Sequence, residues 1–264
     1  GTYYRAGEGL VGSWFALVTY ATTAAASRTG LLSGVTNGVK GLWVTDLTTI
    51  PATIGLPSWG GVVILAGVTG LIVHRFIVLE RSRPAQIQLP AQRTGLAHLL
   101  LEKQWNPLAT GFLVGVVAVI AWPTSWASGR PDGLGITTPS SNLVNLIVTG
   151  DVKRLDWGVL LVLGILLGSY LAAKASGEFR VRVPSAQVIQ RSIAGGVLMG
   201  IGAAWAGGCS IGNALVQTSL LSWQGWIALV FQVLGVGVAA WFLLIRPRQR
   251  RRAERAASRA PATV

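Results

Sequence analysis

One cysteine occurs in the 264 residues, Cys209, within the run Ala206-Gly207-Gly208-Cys209-Ser210-Ile211-Gly212-Asn213. Adjacent glycines let a backbone leave helical geometry, and at bilayer depth such a break is tolerated only where it is buried in protein or lines a water-filled cavity. A thiol placed there faces whatever passes. A helix beginning at Ser210 turns its unpaired backbone N–H groups and the positive end of its dipole toward the break, which favours an anion. The thiol itself is a weak, soft donor, suited to a polarizable sulfur atom, and weak contact permits release. Two roles stay open for Cys209: a contact on a solute path, or a small apolar side chain packed at a helix crossing. Gly207, Gly208, Ser210 and Gly212 belong to the candidate path with it, and the Asn213 amide can line that path or bridge helices.

Arg5 and Glu8, three residues apart, can pair on one helical face near a membrane entrance, and Arg5 can also attract an incoming anion. Lys40 and His74 fall at segment ends, where side chains reach for the interface. Three Gly-x-x-x-Gly pairs, Gly111/Gly115, Gly164/Gly168 and Gly196/Gly200, predict close helix packing.

The elements that must position these groups read as membrane helices. Hydrophobic residues make up 51% of the chain and charged ones 12%, against about 25% in soluble domains. Five stretches approach the ~20 residues that a bilayer requires: Leu10 to Ala26, Trp59 to Leu79, Pro107 to Trp122, Trp157 to Ala173 and Trp226 to Ile245. Leu31 to Val44, interrupted by glycines, reads as a short, tilted or re-entrant piece. Ser141 to Val148 follows a Pro/Ser/Asn cluster and can dip in from one side. Ile193 to Leu221 is too long for one span and predicts two half-helices, or a span plus a re-entrant piece, with Cys209 near the middle. The expected fold is therefore an all-α polytopic membrane protein of about seven membrane segments, some broken or re-entrant. Trp59, Trp105, Trp122, Trp126, Trp157, Trp223 and Trp226 mark the span ends as interfacial anchors.

The formal charge of +13 arises from loops and the tail rather than from a nucleic-acid surface. Basic residues crowd the His74 to Lys103 and Lys174 to Arg191 loops and the segment after Ile245, which places all three in the cytoplasm. In Pro123 to Asp156, Arg130, Lys153 and Arg154 are balanced by Asp132, Asp151 and Asp156, which places that stretch on the other side. Laying Gly1 onward on Gly212 onward aligns Trp14-Phe15-Ala16-Leu17 with Trp226-Ile227-Ala228-Leu229. Repeats of this kind suit transporters, whose broken helices meet near the midplane.

Four motifs together, Gly1-Thr2-Tyr3-Tyr4-Arg5-Ala6-Gly7-Glu8-Gly9, Trp105-Asn106-Pro107, Gly133-Leu134-Gly135-Ile136-Thr137 and Gly207-Gly208-Cys209-Ser210-Ile211-Gly212-Asn213, resemble the YeeE/YedE family of bacterial sulfur-compound transporters. The resemblance implies a multi-pass inner-membrane importer of thiosulfate or a related small sulfur anion. Cysteines along a pseudo-symmetric central path pass the anion by transient thiol contacts, and Cys209 is the central or cytoplasm-proximal one. It further implies a Cys just before the Gly-Thr-Tyr run and another nearer the N-terminus. Neither lies within this chain, so the expectation is an N-terminally incomplete sequence, short by ~60 to 90 residues if the halves are alike. On that reading residues 1–90 are the remainder of a first half, 91–245 the second half and 246–264 a basic cytoplasmic tail.

Enzyme chemistry finds no support: no carboxylate pair, His/Cys cluster, phosphate-binding glycine loop or nucleotide fingerprint is present, so neither a metal nor a cofactor is expected. The predicted spans hold no acidic residue of the kind that carries the ion in cation pumps. An alternative to import is a membrane partner that hands sulfur or selenium to a small cytoplasmic carrier protein, with Cys209 as a persulfide. A non-transporting subunit with a packed cysteine is the third reading. The tail reads as an orientation signal, so deleting residues 246–264 is expected to leave uptake by the inserted protein intact; complete loss of uptake would refute this.

Overall fold

A computed structural model describes residues 2–42, 46–81, 98 and 105–249. Gly1, Val44, most of the His74 to Lys103 loop and the tail beyond residue 249 lie outside the described residues. Helices form the whole of the regular structure there: α1 (Thr2–Gly7), α2 (Val11–Arg28), α3 (Ser33–Gly41), α4 (Ile50–Thr53), α5 (Ser58–Arg81), α6 (Pro107–Ala127), α7 (Thr137–Thr149), α8 (Trp157–Ser176), α9 (Ala186–Trp205) and α10 (Trp223–Ala240). A shorter helix of residues 210–219, widened to π geometry over Gly212–Gln217, lies between α9 and α10.

Local chemistry sets the helix ends. The Asn106 side chain accepts from the Leu108 amide at 2.8 Å and Pro107 opens α6, while Asp156 accepts from the Val159 amide at 2.8 Å at the start of α8. Gly150 and Gly177 close α7 and α8 with φ of +67° and +78°, a conformation that glycine adopts without strain.

Five of the described helices are long and apolar enough to cross a membrane: Ser58–Glu80, Pro107–Ala127, Trp157–Ser176, Ala186–Trp205 and Trp223–Gln249. The protein is an all-α, multi-pass membrane protein. This set differs from the expected one at two places. The Leu10 to Ala26 stretch forms α2, 18 residues long, but does not reach the apolarity of the five because threonines, tyrosine and serine run along it. Its Thr19 and Thr22 hydroxyls turn back to the Phe15 and Val18 carbonyls at 2.7 and 2.8 Å, which lets polar side chains sit within a helix. The Ile193 to Leu221 stretch supplies the fifth span instead: α9 is a full 20 residues, followed by a break and the 210–219 helix. Of the two expected arrangements it is the long helix plus a short piece, not two half-helices. Leu31 to Val44 gives only the nine-residue α3, and Ser141 to Val148 lies within the longer α7.

The buried centre lies where α1, α2, α7, α8 and α9 meet, around Tyr3, Leu17, Tyr20, Val162 and Ala203. α2 and α9 run side by side in the same direction. Gly196 faces the Ala16 carbonyl and Thr19, while a Cβ added to Gly200 would stand 2.8 Å from both the Tyr20 carbonyl and the Thr23 Cβ. This is the close approach that a small-x-x-x-small pair permits. The other two glycine pairs do not behave as expected: around Gly111, Gly115, Gly164 and Gly168 there is open space.

Opposite ends of α2 are tied to different segments. At its start, Arg182 N–H donates to the Gly9 carbonyl at 3.0 Å and Val11 N–H to the Arg182 carbonyl at 3.2 Å. At its finish, Arg28 donates to the Thr138 hydroxyl, and Asn145 donates to Thr29 at 3.1 Å. The Lys174 to Arg191 loop and the Arg130 to Asp156 region therefore lie at opposite ends of the molecule. A second turn is also pinned by main-chain bonds, through an antiparallel bridge where the first is parallel: Ile50 N–H donates to the Leu221 carbonyl at 2.9 Å, and Trp223 N–H approaches the Thr48 carbonyl at 3.4 Å.

Gly200→Val is expected to remove about 1–3 kcal/mol or more of stability by overpacking α2 against α9, whereas Gly164→Ala leaves stability unchanged or raises it slightly. Thermal unfolding of the detergent-solubilised variants measures both; equal melting temperatures for the two would contradict the packing described.

Candidate functional site

The break after α9 is a four-residue loop, residues 206–209, and its shape is fixed by amide side chains. Gly207 has φ +75°, and a Cβ there would lie 2.6 Å from the Gln224 Nε2, so the position favours glycine twice over. Asn213, buried to 1% exposure, donates through Nδ2 to the Ala206 and Gly208 carbonyls at 3.1 and 3.0 Å. Gln224, at the start of α10, donates through Nε2 to the Ala206 carbonyl at 3.0 Å and to the Asn213 Oδ1 at 3.1 Å. Loop carbonyls that a glycine break would otherwise leave unpaired are thus satisfied from the two helices that follow it.

Cys209 closes the loop and caps the next helix. Its carbonyl accepts from the Asn213 N–H at 2.8 Å, so the N–H groups of Ser210, Ile211 and Gly212 precede the first intrahelical bond. The thiol is half-buried and unpaired by any disulfide. It borders a cavity of about 90 Å³, room for roughly three water molecules, together with Gly207, Gly208, Gly212 and Asn213 on one side and Arg130, Asp132 and residues 134–138 on the other. Val216 and Gln217 complete the wall.

The opposing wall contributes a second helix start. α7 opens at Thr137 with no side-chain cap from Ile136, so its first-turn amides also lack partners from a capping side chain. Tyr20 donates to the Thr137 hydroxyl at 2.9 Å, Tyr3 is hydrogen-bonded to Ser140, and Ser140 donates to the Ile136 carbonyl at 2.6 Å. Two helix N-termini and a thiol thus border one small cavity, and helix N-termini favour negative charge.

The amino-acid sequence matches the sulphur transport family over residues 1–238. The chain belongs to the sulphur transport family. It is 48% identical over 261 residues to a protein named thiosulfate transporter TsuA from Escherichia coli (strain K12), covering 98% of this chain and 72% of that one. It is also 33% identical over 260 residues to a protein of the same name from Spirochaeta thermophila, covering 93% of this chain and 72% of that one. Membership of the sulphur transport family fits transmembrane movement of sulfur compounds.

The structure gathers most of the anticipated residues and separates others. Cys209, Gly207, Gly208, Gly212 and Asn213 line one cavity; Ser210 is exposed and outside its lining. Asn213 both lines the cavity and bridges helices, the two uses that the amino-acid sequence left open. Arg5 and Glu8 form no ion pair with each other: Arg5 is exposed, with Nε 3.4 Å from the Tyr4 hydroxyl, and Glu8 borders a separate cavity of about 350 Å³ with Glu178, Arg180 and Arg182. The expected pairing is replaced because α1 ends at Gly7, and Gly9 at φ +97° carries the turn beneath the 180–182 backbone. Cys209 stands with the Arg130 to Thr138 segment, at the end of α2 away from the Lys174 to Arg191 loop.

Gln224, Tyr3, Tyr20 and Arg130 were not singled out by residue type or spacing. Tyr3 lay in plain view within the Tyr-Arg-Ala-Gly-Glu-Gly motif; Gln224 is a long-range partner that only the folded chain reveals. Asn213→Ala is expected to leave the Gly208 carbonyl unpaired, at about 1–3 kcal/mol, with Gln224 alone still on the Ala206 carbonyl, and to speed labelling of Cys209 by a thiol reagent. An unchanged labelling rate in the inserted variant would show that the amide does not hold the loop.

Proposed function

We propose that this chain imports thiosulfate, or a closely related small sulfur anion, across the bacterial inner membrane, with Cys209 making a transient hydrogen-bonded contact to the anion at a central constriction. The observation that carries this reading is the unpaired thiol on a cavity of about 90 Å³ between two helix starts. Thiosulfate has a hard sulfonate end and a soft, polarizable sulfur. Unpaired helix N–H groups suit the first and the thiol suits the second. No covalent step is required, and a weak contact allows the anion to leave.

On the same reading the Lys174 to Arg191 loop and the C-terminus face the cytoplasm, and the Arg130 to Asp156 region faces outward. The Cys209 cavity is then approached from outside. The Glu8, Arg180 and Arg182 cavity lies at the opposite end, on the exit side rather than at the entrance. Residues 1–90 and 91–245 belong to two related halves, a reading supported by the match of Trp14-Phe15-Ala16-Leu17 with Trp226-Ile227-Ala228-Leu229. Transfer of sulfur to a cytoplasmic carrier is less well supported, because Cys209 lies far from the loop at which such a carrier would dock.

Uptake of labelled thiosulfate by a bacterium without its own importers, expressing the full-length protein, tests the proposal. Cys209→Ala is expected to lower uptake about tenfold or more below saturation, through loss of the contact to the charged solute. Undiminished uptake would assign Cys209 to packing alone, and no uptake by the parent protein would overturn the import reading.

A further inference from the structure

Arg130 is the charged side chain most completely enclosed at the rim of the Cys209 cavity, and its surroundings hold it in one orientation. The guanidinium donates through Nη1 to the Ser125 hydroxyl at 3.2 Å and to the Gly133 carbonyl at 3.0 Å, and through Nη2 to the Asp132 carboxylate at 2.9 Å. The backbone closes around it as well: Ser125, fully buried, donates to the Arg130 carbonyl at 2.9 Å, and the Arg130 N–H donates to the Ser125 carbonyl at 3.1 Å. An arginine fixed in this way presents its remaining N–H groups in a set direction, where a freely moving one would spread them over many.

The two members of the ion pair differ in their ties. The Arg130 side chain is 11% exposed and anchored to neutral groups on its far edge, while that of Asp132 is 56% exposed. Asp132 Oδ1 accepts from the Gly133 N–H at 2.9 Å, so Oδ2 alone engages the arginine. Arg28 stands within electrostatic range of both. Arg28 lies behind the lining, donating to the Thr138 hydroxyl, so the surroundings of the ion pair hold two cations and one carboxylate.

We infer that Arg130 is the charge-selecting residue for solutes entering the Cys209 cavity, and that Asp132 is its built-in competitor, an anion that the incoming solute displaces from the outward edge of the guanidinium. The carboxylate is the partner that moves, because it is half in water and Arg130 is not. The rim thereby favours a doubly charged anion, which compensates the lost pair, over a singly charged or neutral sulfur compound, which does not. This inference rests on the thiosulfate-import reading and assigns the residue that sets its charge preference.

The test is the KM for labelled thiosulfate uptake by cells expressing the full-length protein, its Arg130→Gln variant and its Asp132→Asn variant, with membrane insertion measured for each. Competition by a singly charged thiosulfonate supplies a second readout. Arg130→Gln is expected to raise KM about tenfold and to narrow the preference for the dianion. Asp132→Asn, which keeps the Oδ1 contact to Gly133, is expected to lower KM about twofold to threefold. A structural role alone would lower the amount of inserted protein or the maximal rate in both variants and move KM in neither. Opposite shifts in KM establish the pairing; shifts of the same sign, or none, with the parent protein active, overturn this inference and leave import standing. A parent protein that takes up no thiosulfate overturns both.

Discussion

The close contact between α2 and α9 is the constraint on which the site depends. Two glycines one turn apart let the α9 backbone come within van der Waals reach of the Ala16 and Tyr20 carbonyls, and no larger residue at Gly200 could do so without displacing one helix. Between apolar helices in an apolar medium there is no hydrophobic force to bring surfaces together, so this packing must supply the attraction itself. Parallel packing then carries the end of α9 to the end of α2. There the glycine break, the Arg28 contact to Thr138 and the start of α7 come together.

Around that contact the protein manages an unusual load of buried polar groups. Ser125, Thr137, Ser140, Ser141 and Asn213 are all nearly or wholly inaccessible. Ser125, Ser140 and Asn213 donate to main-chain carbonyls and Thr137 accepts from Tyr20, so these groups are paired where an unpaired one would be costly. Tyr3 and Tyr20 reach from α1 and α2 to the first turn of α7, so the wall opposite Cys209 is held by side chains from the helices beside it. The cavity is thus framed by ties between segments far apart in the chain. It does not depend on any one loop.

Much of this was legible before folding. Composition and apolar run length give the membrane class. Gly207-Gly208 before a cysteine predicts a break with a helix start behind it, and the break is found at residues 206–209. The limits are equally physical. A hydropathy run reports how apolar a stretch is, and cannot tell a helix that crosses lipid from one that is sheathed by protein. α2, with its threonines, falls short of the five most apolar helices yet runs beside α9 from end to end, and α9, diluted by polar residues near its start, did not read as one whole span. Gly-x-x-x-Gly spacing shows where close packing is permitted, and of three such pairs only Gly196/Gly200 meets another helix in the described structure. Arg130 counted as one loop charge among several, because the Ser125, Gly133 and Asp132 contacts that fix it depend on how the chain turns after α6.

The two turns pinned at Gly9–Val11 and Leu221–Trp223 carry a different implication. Arg182 in one case, and Thr48 and Ile50 in the other, take part through main-chain groups, while at the second turn the Trp223 indole adds a bond to the Thr53 hydroxyl at 2.9 Å. A fastening made of amides and carbonyls is indifferent to the side chain that it passes through. Residues 48 and 182 are therefore released from the duty of holding the fold, and their identities can drift, or be recruited to the chemistry of either membrane face, while the architecture stays as it is.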